Sequence, residues 1–191
     1  MVYVTVAAIV LCGLVLLVSA VSKVRSGTDY AEFVASVPAF GISARWQRLF
    51  AVATVTTEFA ITALLLPATV LIAVGSSAGR WLATAGLLLA TGLFGVLTFA
   101  VWRAVARQSG AVCRCFGPAR TVLAHRHVVR NALLLLVAAL GAAPLSVDGT
   151  ADPAIAALAA AIGALGAVLV IRFDDLAELI AGPVPSTRLE S

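Results

Sequence analysis

Residues 2–22 carry no charge, and neither do residues 81–102 or 153–171. At ~1.5 Å per residue, a helix of about twenty residues crosses the ~30 Å hydrocarbon core of a bilayer. In lipid the backbone must satisfy its own hydrogen bonds, so such runs point to helices. Composition agrees: 62% of the 191 residues are hydrophobic and 12% are charged, against about a quarter charged in a soluble domain. The mean hydropathy is +1.08. Water cannot solvate a chain like this, and the length leaves room for one helical bundle. The expected fold is an all-α integral membrane protein, and a soluble enzyme is excluded.

Two further spans complete the set. Residues 50–74 hold a single charge, Glu58, and the charge-free remainder, 59–74, is short for a crossing. Glu58 is therefore expected inside the span, toward its N-terminal side. Pro67 is expected to kink this helix, a bend that membrane bundles tolerate. Residues 128–144 form a shorter fourth span, with Arg130 near its start expected to snorkel to the surface. The fifth, residues 153–171, is rich in Ala and Gly, which permits close helix approach. Trp81 and Trp102 bracket the third span as an interfacial belt would.

Between the first two spans, Asp29 with Glu32 resembles a capping box, and Tyr30, Phe33, Val34 and Val37 recur at helical spacing. Pro38 and Gly41 end that pattern. This reads as a short interfacial helix, with Trp46 near the headgroups. Val18-Ser19-Ala20 resembles a signal-peptide cleavage site. No basic residue precedes the apolar run, however, and Lys23 and Arg25 follow it, so the first span is expected to be retained. The resulting organisation is a bundle over residues 1–145, an additional helix over 146–172 and a polar, disordered tail over 173–191.

The net charge is +4, from 13 basic and 9 acidic residues. The basic residues fall between apolar runs, so they report topology and not a nucleic-acid partner; the partner of this surface is membrane lipid. With five spans, 12 of the 13 lie on one side and only Arg80 on the other. The positive-inside rule then predicts a multi-pass protein of the cell membrane with its N-terminus outside and its C-terminus cytoplasmic. The loop between spans three and four is cytoplasmic by the same count.

That loop holds the strongest local signal, Cys113-Arg114-Cys115-Phe116-Gly117-Pro118. Thiols react as thiolates, which Arg107, Arg114 and Arg120 would stabilise. A C-x-C disulfide closes a very small ring, and strained disulfides are labile and oxidising. The pair suits dithiol–disulfide exchange with a thioredoxin-like protein or a membrane quinone, the chemistry of a membrane thiol–disulfide oxidoreductase. Two unreactive loop thiols are the bland alternative. A metal reading also competes, because His125 and His127 follow in C-x-C…H-x-H order and Cys2His2 is a zinc ligand set. The gap between the thiols departs from the usual spacing. Cys12, alone in an apolar run, reads as a small core residue.

Glu58 is the second signal, since a carboxylate in lipid needs a partner or a role. Span counting puts it on the side of Lys23, Arg130, Asn131 and the cysteine loop. Such a cluster could relay protons or bind an electron carrier; a buried salt bridge that fixes packing is the alternative.

The Cys-x-Cys-Phe-Gly loop, followed by a basic stretch and Arg130-Asn131 opening an apolar helix, resembles the methylamine utilisation MauE family. Ser22-Lys23 closing the first span and Glu58 in the second fit the same pattern, over residues 5–143. The resemblance implies a DoxX-like four-helix transmembrane bundle, here with a fifth transmembrane helix added. It implies a role in maturing the β-subunit of methylamine dehydrogenase, whose disulfides form outside the cytoplasm, often beside a thioredoxin-like partner. A non-catalytic assembly factor fits the family equally. Disulfide formation belongs outside the cytoplasm, whereas the charge count puts Cys113 and Cys115 inside. On that count the pair draws electrons from a cytoplasmic donor.

Overall fold

The computed structural model describes residues 2–107, 112–113, 121–122, 125–143 and 152–173. Six α-helices follow in order: α1 Val2–Val24, α2 Gly27–Ser36, α3 Gln47–Ala73, α4 Ser77–Ala106, α5 His125–Ala142 and α6 Pro153–Ile171. Two 3-10 turns, Val37–Phe40 and Ala44–Trp46, join α2 to α3. Between α4 and α5, β1 Val112–Cys113 pairs antiparallel with β2 Thr121–Val122, Cys113 opposite Thr121.

The helices run in alternating directions. Lys23, at the end of α1, meets Glu58 in the first half of α3. Gly13 lies against Leu66, Gly86 of α4 against Leu65 of α3, and Gly79 against Ile72. Thr5 near the start of α1 donates to the Gly141 carbonyl near the end of α5, at 3.1 Å. The last helix, α6, runs parallel to α1: Tyr3 accepts from the Asp152 amide, Gly163 abuts Ala7, and Gly166 abuts Leu11. The bundle is thus α1, α3, α4, α5 and α6, with α2 and the 3-10 turn after it at one end, packing Val34 and Val37 against Ala51.

The outward faces are apolar. Val70, Trp81, Leu88, Val96, Leu133 and Leu165 are all exposed, a surface that only lipid solvates. Helices α1, α3, α4 and α6 are long and apolar enough to cross a membrane. α5 is not among them, because His125, Arg126, His127, Arg130 and Asn131 occupy its first two turns. At ~1.5 Å per residue its 18 residues span about 27 Å. The protein is an all-α, multi-pass membrane protein.

Several local expectations change. The cap of α2 is Ser26, whose hydroxyl accepts from the Asp29 amide, so the helix starts before the Asp29–Glu32 pair. Pro67 lies inside α3, where the kink is expected. α5 begins at His125, three residues before the expected start of the fourth span. Arg130 does not snorkel; it is buried. Cys12 is a buried free thiol in the core, as expected. The expected disordered tail beyond residue 173 lies outside the described residues.

Close approach of α6 to α1 depends on Gly163, where a Cβ would strike the Ala7 carbonyl oxygen. Gly163→Val should cost about 1–3 kcal/mol by overpacking and lower the melting temperature in detergent. Gly92→Ala, where a Cβ meets nothing within 4 Å, should not; equal melting of the two variants would contradict this α1–α6 packing.

Candidate functional site

Helices α1, α3 and α5 each bring polar residues inward at one end of the bundle. On α1, Cys12, Leu16, Ser19 and Lys23 share one buried face at helical spacing. On α3, Val55, Glu58, Thr62 and Leu65 do the same. α5 is the extreme case. His127, Arg130, Asn131, Leu134, Ala138 and Gly141 are buried on one face, while Val129, Leu133, Leu136 and Leu140 face outward. Along its inner face the helix changes from charged to apolar.

At the centre lies a charge pair taken wholly out of solvent. Lys23 Nζ sits 2.7 Å from Glu58 Oε1 and 2.8 Å from Oε2. Lys23 is 5% exposed and Glu58 1%. Ser19 completes the arrangement: its Oγ accepts from Lys23 at 2.6 Å and donates to Glu58 Oε1 at 3.0 Å. Lys23 also donates to the Ser19 carbonyl at 3.3 Å, and the Phe33 ring of α2 lies 5.3 Å from its ammonium. That distance is within reach of a cation–π contact. Thr62 donates to the Glu58 backbone carbonyl at 2.9 Å. Arg130 does not reach for the interface, contrary to the expectation that it snorkels, and neither does Lys23.

The pair borders a cavity of about 180 Å³ that Arg130 and Asn131 also line. Arg130 is 2% exposed and Asn131 5%. The expected grouping of Lys23, Glu58, Arg130 and Asn131 is therefore brought together around one space. The rest of the wall is apolar, with Phe33, Phe40, Phe50 and Phe94 presenting aromatic surface. Such a space can take a small, largely apolar molecule with a polar end.

The cysteine loop leaves the same end of the bundle, from α4 into α5. Cys113 belongs to β1 by its backbone, and Cys115 lies outside the described residues. His125 and His127 do not form a ligand pair on one face. Both belong to the first turn of α5, where residues two apart point apart; His125 is exposed and His127 buried. Sequence reasoning missed Ser19. A serine four residues before Lys23 on the same helix face was the available signal.

Removing one partner of a buried pair costs ~3–5 kcal/mol, because the other charge is left uncompensated. Glu58→Gln should therefore lower detergent melting sharply, whereas Glu32→Gln, at an exposed position of α2, should leave it nearly unchanged. A Lys23→Met/Glu58→Gln double variant should recover part of the loss. Purely additive losses would mean that the two residues are not coupled.

Comparison with known proteins adds one finding. No curated protein and no solved structure matches the chain. The family described as methylamine utilisation protein MauE matches residues 1–144. Those residues include the whole Lys23–Ser19–Glu58 cluster, the cysteine loop, and Arg130 and Asn131 at the head of α5. By that match the chain belongs to the MauE family.

Proposed function

We propose that this protein is a membrane thiol–disulfide exchange protein that assists maturation of a partner protein, with Cys113 and Cys115 as its redox pair. The observation that supports the reading best is the buried polar floor at the end of the bundle from which the dithiol loop emerges. Lys23, Ser19, Glu58, Arg130 and Asn131 border one cavity there. Ionisable groups held in the membrane interior are costly, and they commonly mark sites of proton or ligand handling.

In the exchange, a donor dithiol attacks the Cys113–Cys115 disulfide. The donor becomes a disulfide, and the pair receives two electrons and two protons as two thiols. Reoxidation passes two electrons and two protons to an acceptor, for which a membrane quinone has the right chemistry. Charge bias puts the loop on the cytoplasmic side, which favours a thioredoxin-like protein as donor. The family resemblance implies the β-subunit of methylamine dehydrogenase as client and methylamine metabolism as the setting. A second reading, a non-catalytic assembly factor, draws support from the complete hydrogen bonding of Lys23 to Glu58 and Ser19, which would suit a packing clamp.

Differential alkylation of membranes should show both thiols gaining label together under reductant and losing it together under oxidant. If both remain reduced under oxidant in folded protein, the exchange reading fails. Cys113→Ser with Cys115→Ser should abolish client maturation at normal membrane levels; intact maturation would favour the assembly factor. An impermeant thiol reagent should reach Cys115 in broken cells and not in intact ones.

A further inference from the structure

Asn131 is 5% exposed and lines the cavity, and among the described residues its carboxamide has no hydrogen-bond partner. A buried amide left unmatched is destabilising unless something else completes it. The neighbouring Lys23 ammonium is already satisfied, by both oxygens of Glu58 and by Ser19. At Asn131 the open hydrogen-bonding capacity is that of a neutral group that both donates and accepts.

We propose that the cavity is the headgroup site of a lipid-soluble quinone, held by Asn131. Three features favour this class over an anionic lipid or a fatty acid. An amide N–H can donate to a quinone carbonyl, and the amide oxygen can accept from the hydroxyl of the reduced form, so one residue serves both redox states. Of the two cations bordering the cavity, Lys23 and Arg130, Lys23 is neutralised by Glu58 at 2.7 Å. Phe33, Phe40, Phe50 and Phe94 present aromatic surface to a planar ring. The volume admits a six-membered ring: a dry apolar cavity of ~150 Å³ holds benzene, and this one measures about 180 Å³. An isoprenoid tail would leave between helices into the bilayer.

Binding stands on this geometry alone; only the origin of the electrons rests on the thiol-exchange reading above. On that reading the Cys113–Cys115 dithiol and the quinone become a disulfide and a quinol. Two electrons and two protons pass from the thiols to the ring oxygens.

The test uses the full chain in phosphatidylcholine nanodiscs with decylubiquinone as probe, read as a saturable rise in melting temperature. Asn131→Leu should weaken the apparent affinity roughly tenfold, as the loss of about one hydrogen bond would. Without probe it should melt no lower than the wild type, because it removes an unmatched polar group. A purely structural Asn131 would show the opposite, a lower melting temperature without probe. Ala100→Phe, at the cavity wall, should abolish the saturable rise. Equal affinity of wild type and Asn131→Leu, no saturable rise in the wild type, or displacement by decanoate as potent as by the quinone would each overturn the proposal. Protein carrying Cys113→Ser and Cys115→Ser should still bind decylubiquinone. Binding there with no thiol turnover in the native chain would defeat the exchange reading and leave the site standing; thiol turnover without binding would do the reverse.

Discussion

Taking an ammonium and a carboxylate out of water costs several kcal/mol for each ion, and only close geometry with further hydrogen bonds offsets it. The rest of the bundle is arranged around that requirement. Lys23 reaches both oxygens of Glu58, and Ser19 bonds to both partners. A one-turn slip between α1 and α3, about 5.4 Å, would break all three contacts to Glu58. The pair therefore sets the register of α1 on α3. Gly86 against Leu65 then carries that register to α4, and Thr5 against the Gly141 carbonyl carries it to α5.

The same requirement explains the cavity. In a soluble bundle the helix interior is leucine and the rim is charged; α5 inverts this, with Arg130 and Asn131 inside and Leu133, Leu136 and Leu140 outside. Lipid imposes the outer half of that inversion, since the outer face has no water to meet. The inner half is not imposed by lipid, because Leu134 and Ala138 one turn further on pack inward without difficulty. Polar side chains of different lengths cannot interdigitate as leucines do. Where they meet the aromatic residues of α2, α3 and α4, a space remains.

Much of this architecture is legible in the amino-acid sequence. Charge-free runs mark the spans, and Glu58 stands out as a lone charge in apolar sequence. The burial of Lys23 and Arg130 is not legible there. Both sit at the ends of apolar runs, where a long cation ordinarily snorkels, and only the facing helix decides between rim and core. Ser19 is silent because one hydroxyl barely perturbs an apolar run; its role appears only once Lys23 lies a turn below it and Glu58 lies opposite. The start of α5 is hidden for a related reason. His125 to His127 reads as polar loop, yet tertiary packing makes it helix by giving His127 an interior to enter.

α6 shows what the site demands of the helix that carries Lys23. α1 packs against α3, α5 and α6, and its cavity face, with Leu16, Ser19 and Lys23, is committed to the polar floor. None of the residues bordering the cavity comes from α6. It instead lies along α1 at Ala7 and Leu11, close enough that Gly163 and Gly166 are needed. Between apolar helices lipid provides no hydrophobic drive, so this contact must come from close packing of small residues. The family match ends at residue 144, before α6 begins. The helix therefore acts as a brace on the lipid side of α1: it holds the helix bearing Lys23 from behind while leaving the cavity untouched.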